Sequence, residues 1–272
     1  MAPARFPQAR PPVFETQFAL KPGVADNLIP GLCRILAPNP GAMTFTGTLT
    51  YLIGEKAPII VDPGPDEPRH LEAIIKTLAG RPVSGILLTH SHRDHDGLTE
   101  TLIKHTGAPI WQAKAGQIWQ HEAWQIEAIA TPGHAADHYC YWLAQSKILL
   151  SGDHVMTWST SMVEDMAAYM QSLDVVMALK PAMLLPGHGP EKRQAGTYLR
   201  ALKTHRRLRE AAILKQYQAG IHSPEAITRA LYAGLSPQVF SSAIATTKAH
   251  LLHLAQQGKI ALETPIQPDE ED

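Results

Sequence analysis

The sequence predicts a mixed α/β (α+β) fold, two sheets flanked by helices, followed by a smaller helical unit. Three observations lead there. Short apolar runs of strand character alternate with stretches of helical periodicity, and no internal repeat interrupts them. Several of those runs end in a Gly-containing turn and then a His or Asp. A chain of 272 residues, 44% hydrophobic and 18% charged, can bury one large core and a small one. The two units are expected at 13–190 and 191–272.

Residues 44–53 and 58–61 read as a β-meander around a Gly54-Glu55-Lys56 turn. A helix over 69–78 follows, with His70 on its exposed face, and 86–89 is a short buried strand. The next helix starts near Asp94 and runs to His105, with Gly107 as its C-cap. His105 suits the negative pole of that helix, so surface capping is preferred to ligation. Segments 108–112, 124–130, 139–143 and 148–150 read as strands, the last three in a second sheet. His121 has no companion ligand nearby and is expected in solvent. Across 164–179 the residues Met166, Met170, Leu173, Val176 and Met177 fall on one helical stripe, which reads as core.

The C-terminal unit opens with a long helix, 191–218, rich in Lys192, Arg193, Arg200, Lys203, Arg206, Arg207 and Arg209. Ser223-Pro224 starts a second helix as N-cap and first turn. Ser236-Pro237 starts a third that ends at Gly258, and 259–262 reads as a short strand. That order suggests a winged-helix-like module. A helix that reads nucleic acid needs positive charge, yet 237–257 carries only Lys248. Packing, or dimerisation into a homodimer, is therefore favoured. The basic helix keeps an RNA-backbone role open beside a plain solvated face.

Chemistry concentrates in His90-Ser91-His92-Arg93-Asp94-His95. Imidazole nitrogen and carboxylate oxygen bind zinc and similar divalent ions. In an extended segment alternate side chains share a side, so His90 and His92 can grip one ion while Asp94 and His95, past the turn, face a neighbouring one. A metal-free, His-rich loop is the competing interpretation, and this spacing disfavours it. Three further segments repeat strand, Gly turn, ligand: they end in His134, Asp153 and His188. His138, beside Asp137, fits a supporting hydrogen bond better than ligation.

These motifs, with Val61-Asp62-Pro63-Gly64, Thr131-Pro132-Gly133-His134, Ser151-Gly152-Asp153 and Pro186-Gly187-His188-Gly189 in order, make the chain resemble the metallo-β-lactamase-fold hydrolases, most nearly the β-lactamase-like protein 2 group. The resemblance spans about residues 39–189 and implies an αββα sandwich, with an appended winged-helix segment beyond it. It also implies two divalent metal ions, zinc first among candidates. His90, His92 and His134 would hold one, Asp94, His95 and His188 the other, and Asp153 would bridge them around a shared water or hydroxide. Asp62 would orient a ligand loop, or simply begin the turn at Pro63. The chain departs from the family at Asp96-Gly97-Leu98, Thr48-Leu49-Thr50 and His154, none of them an implied ligand.

Such a centre suits hydrolysis of an ester, thioester, lactone or lactam, with Asp94 as proton acceptor or shuttle; the alternative is an endoribonuclease acting on single-stranded RNA. His92 stands where a di-iron redox branch usually has an acid. The short span from Asp153 to His188 argues against the branch that embeds an extra domain there. A non-catalytic binding module is disfavoured by the intact ligands. A net charge of −1 gives no global pull toward nucleic acid or anionic membrane. No apolar run approaches the roughly 18 residues of a membrane span. Cys33 and Cys140 cannot make a disulfide framework; both are expected as small buried thiols, which fits a cytoplasmic setting. Residues 1–12 are expected as a flexible or surface-hugging arm and 268–272 as an acidic tail.

Overall fold

Strands apolar on both faces need cover on both, and stacking two sheets between helices supplies it. The computed structural model describes residues 12–232 and 234–262. The acidic tail and, Pro12 apart, the N-terminal arm lie outside them. The first sheet runs in sequence order: β1 (Ala25–Ile29), β2 (Leu32–Leu36), β3 (Leu49–Ile53), β4 (Ile59–Val61) and β5 (Gly85–Leu87). Its pairs are antiparallel except β4 with β5. The second sheet holds β6 (Ile118–His121), β7 (Trp124–Ala130), β8 (Tyr139–Leu143), β9 (Ile148–Gly152), β10 (Met183–Pro186) and β11 (Lys192–Arg193), again in sequence order. There only β9 and β10 are parallel.

Period-two alternation divides each strand between two cores. Leu49, Tyr51 and Ile53 meet Tyr141, Leu143 and Leu185 between the sheets. Leu52, Ile60 and Ile86 turn outward, where α1 (Pro68–Leu78) and α3 (Thr99–Thr106) cover them with Ile74, Leu78 and Leu102. On the other side Trp142, Leu149 and Leu184 meet α4 (Met166–Ala178), α5 (Ala195–Gln218) and α7 (Pro237–Gln256) through Tyr169, Leu173, Leu199, Leu202 and Ala249. The layering is α, β, β, α. A smaller core of Ile213, Ile227, Leu251 and Leu254 joins α5 and α7 to α6 (Pro224–Leu231). No helix of the described residues is long and apolar enough to cross a membrane.

Local signals set several boundaries. Asp165 caps α4 by accepting from Ala168 N at 3.0 Å. Ser223 caps α6, and Gly107 closes α3 in the left-handed conformation. Other expectations need correction. The helix expected from Asp94 to His105 is two, α2 (Arg93–Asp96) and α3. Between them Gly97 presses on the Pro65-Asp66 backbone, where a Cβ would meet Asp66 N at 2.6 Å, and Leu98 N bonds Gly64 O. Segment 108–112 contributes only an isolated bridge, Ile86 to Ile110. The long basic helix begins at Ala195, because Lys192 and Arg193 pair with β10. Residues 259–262 form no strand, so the C-terminal unit is helical without a wing among the described residues.

Candidate metal centre

Each implied ligand follows the C-terminal end of a strand. His90 to His95 come after β5, His134 after β7, Asp153 after β9 and His188 after β10. The structure gathers all seven: the metal-binding atoms of His90, His92 and His134 lie within 4.8 Å of one another, and so do those of Asp94, His95 and His188. A third such set, His90, His95 and Asp153, links the two. Asp153 Oδ2 is 3.8 Å from His134 Nε2 and 3.4 Å from His188 Nε2, while Oδ1 is 3.6 Å from His95 Nε2. Gly187 permits that convergence, since a Cβ there would meet Asp153 Oδ1 at 2.5 Å.

Hydrogen bonds behind the rings fix which nitrogen faces the centre. A carbonyl only accepts, so His134 Nδ1–H donates to Met162 O (3.0 Å) and His188 Nδ1–H to Gly47 O (3.2 Å). His95 Nδ1–H donates to Asp62 Oδ2 at 2.9 Å. Thr89 spends its hydroxyl proton on Asp62 Oδ2 (2.8 Å), so it must accept from His90 Nδ1–H at 2.9 Å. Thr89 N also donates to Asp62 Oδ1 at 2.7 Å. Four rings therefore turn Nε2 inward. Asp62, 1% exposed, lies behind two of them.

The donor set fits divalent ions. His90 Nε2 and His92 Nδ1 are 2.9 Å apart, and His95 Nε2 and His188 Nε2 are 3.3 Å apart. Lone pairs at that range repel unless a proton or cation lies between them. Two donors about 2.0–2.1 Å from a tetrahedral zinc ion would sit about 3.3 Å apart. His134 Nε2 and Asp153 Oδ1 are buried without any hydrogen-bond partner, a costly state that a cation would relieve.

Charge is distributed unevenly. Burial holds His90 well below the usual histidine pKa and also lowers His134, against the pull of Asp153. Burial works the same way on His95, but Asp153 and Asp62 overcome it and raise that ring well above its usual value. For His188 burial is likewise outweighed, chiefly by Asp153, and the pKa rises to about 9. Burial raises Asp94, yet its hydrogen bond from His188 and the charges of both histidines bring it to about 2. Asp153 stays well below the carboxylate range despite burial, because of His188 and His95.

His138 takes a supporting position. Its Nδ1 faces Thr131 Oγ1 at 2.8 Å, and Nε2 accepts from Asp153 N at 3.1 Å. Sequence reasoning missed Thr89, Gly47 O and Met162 O, all of which aim ligands. It also misplaced His70, which is fully buried. Thr50 Oγ1 donates to Asp62 O (2.7 Å), so His70 Nε2–H donates to Thr50 Oγ1 (2.7 Å), and burial lowers that ring to about 4. His121 is not solvated: its side chain is 12% exposed and lies 3.6 Å from Glu122. His105 is exposed and bonds Thr101 O. Cys140 is buried and Cys33 only partly so.

Comparison with known proteins points to one family. Residues 43–125 and 121–188 match the model of the metallo-beta-lactamase superfamily. Thioesterase pkgB of Emericella nidulans is 35% identical over 181 residues, 62% of this chain and 53% of that protein, so the chain matches about half of its length. Lactamase-like protein adaB of Aspergillus niger is 31% identical over 85% of this chain and 82% of its own. A beta-lactamase-like protein 2 homolog of Caenorhabditis elegans is 31% identical over 86% and 88% respectively. In structure, a beta-lactamase domain protein from Burkholderia ambifaria superposes with a TM-score of 0.76 at 20% identity, covering 89% of this chain and 90% of that one.

Proposed function

The chain belongs to the metallo-beta-lactamase superfamily of hydrolases, and from that premise we propose that it cleaves an ester, thioester, lactone or lactam type bond, a thioester first among them, using two divalent ions, preferably zinc. The observation that carries this is Asp153 lying within reach of both ligand groups. His90, His92 and His134 would hold one ion and Asp94, His95 and His188 the other. Bound there, the ions would supply an acidified water and an electrophile for the acyl oxygen. Asp94 is the more exposed of the two inner carboxylates, at 30% against 10% for Asp153, and stays ionised. That exposure suits it to relay a proton from the attacking water to solvent. Asp62 and Thr89 keep the rings aimed throughout.

Placement of the basic residues favours an acyl substrate over RNA. Lys203 pairs with Asp174, Lys192 with Glu15, and Arg209 stacks on Tyr232 at 4.2 Å. Arg206 is 3% exposed. Four of the seven basic residues from Lys192 to Arg209 are thus engaged within the chain, while Arg193, Arg200 and Arg207 stay exposed. The thioesterase among the relatives supports the same choice. Two free thiols favour a reducing compartment, and we place the protein in the cytoplasm. A side-by-side assay of the zinc-loaded protein on a thioester, a lactone, a chromogenic lactam and single-stranded RNA decides the matter, with His92→Ala as control for contaminants. Thioester turnover that His92→Ala abolishes is expected. Cleavage of RNA alone would reverse the order of the two readings, and full activity without metal would end both.

A further inference from the structure

Beside the metal centre is a cleft of about 240 Å³ that ligand binding does not account for. Met156, Trp158 and Met162 form one wall, in the loop after Asp153; Leu235, Val239 and Thr246 of the C-terminal unit form the other. That loop is fastened to the ligands at several points. Met162 O holds His134 Nδ1 at 3.0 Å. Trp158 presses on Gly189, the residue after His188, where a Cβ would meet its ring at 2.8 Å. Trp158 also stacks on Phe45 at 4.8 Å, in the turn whose Gly47 O holds His188 Nδ1. The loop that lines this mostly apolar cleft thus also backs two of the ligands.

Arg206 of α5 lines the cleft and is 3% exposed. One guanidinium N–H donates to Ser161 O at 2.6 Å, and the group lies 4.9 Å from the centre of the Tyr169 ring. Its Nε–H is buried without a partner. Glu210, one turn along α5, is engaged by His250 and His253 at 3.4 and 2.7 Å. A guanidinium cannot shed its charge, and a buried N–H of it left without an acceptor is costly. A molecule entering the cleft can supply an acceptor for that N–H.

We propose that Arg206 is a specificity-determining residue that receives a carboxylate at the distal end of an apolar acyl group whose thioester lies at the metals. The role presupposes the thioester hydrolysis proposed above. The test compares two N-acetylcysteamine thioesters on zinc-loaded protein, phenylacetyl and (3-carboxyphenyl)acetyl, which differ only in the distal charge. The wild type should prefer the carboxylated probe by about 10–100-fold in kcat/KM, the worth of a charged hydrogen bond. R206Q should collapse that ratio toward one, and R206K should keep part of it.

Equal turnover of both probes by the wild type, or a preference that survives R206Q, overturns the proposal. Turnover of neither probe overturns the thioester reading instead. Calorimetry then decides Arg206 by itself: 3-carboxyphenylacetate should bind the zinc-loaded wild type at least about tenfold more tightly than phenylacetate. Both compounds offer one carboxylate to the metals, so the difference reports the second. Equal affinities overturn the role of Arg206. If R206Q does not fold, the wild-type ratio and R206K decide the same question.

Discussion

His90, His92 and His134 form a purely imidazole group, whereas Asp94, His95 and His188 mix imidazole with a carboxylate. The two are built from neighbouring loops and differ in how they behave toward protons. In the first, burial lowers His90 and His134, which favours their neutral forms. In the second, nearby carboxylates overcome burial and raise His95 and His188, which favours their protonated forms when no metal is bound. A cation entering the second group therefore meets stronger competition from protons than one entering the first. Asp153 reaches into both groups, so the contrast concerns two halves of one centre.

The largest expected effect erases the contrast. Asp153→Ala should cost both ions, measured by metal analysis, and lower kcat/KM by at least about 10³-fold, since metal assistance is worth several kcal/mol. Retention of one ion with near-normal turnover would show that the halves are independent. Next come the carboxylate and hydroxyl behind the rings. Asp62→Asn removes the acceptor shared by His95 and Thr89 and should weaken zinc binding by about 10–100-fold. Thr89→Val removes the acceptor of His90 but leaves the His95–Asp62 bond in place, so it should weaken the imidazole group more than the mixed one; equal loss from both groups would contradict the assigned hydrogen bonds.

Acid should then part the halves. As pH falls, the ion held by Asp94, His95 and His188 should leave first, because protons compete best there. Metal content followed against pH should drop in two steps, and a single step would count against unequal halves. The smallest effect belongs to the metal-free chain. Histidines with raised pKa stabilise the fold fully below the unfolded value of 6.5, and that contribution disappears as pH climbs through about 9 for His188. Its Tm should therefore fall by a few degrees between those limits, while the zinc-loaded protein shows no such loss.

How much of this the sequence discloses differs by kind of group. The ligands are legible because His and Asp after Gly turns carry their chemistry in their names. Thr89, which aims His90, directly precedes the ligand cluster, yet a hydroxyl announces no direction. Gly47 O and Met162 O have no sequence signature at all, since every residue has a carbonyl. The strands at Trp124–Ala130 and Tyr139–Leu143 match expectation because they carry apolar, β-favouring residues along most of their length. The β1–β2 hairpin escapes a sequence reading although Pro30-Gly31 marks its turn, because β1 is only partly buried and its alternation is weak. Helical periodicity assigns His70 to solvent, but Thr50 and Asp62 on the adjoining sheet give it a polar partner inside.

Asp62 adopts φ +53°, a left-handed backbone that most side chains resist. Asparagine, aspartate and glycine tolerate that geometry best, and only aspartate among them brings the anion that His95 and Thr89 require. Drift at this position thus has few exits. Replacement by asparagine would preserve the turn and silence the charge, while glutamate would keep the charge but strain the chain. Asparagine here would therefore disarm the support of His95 while leaving the scaffold around it intact.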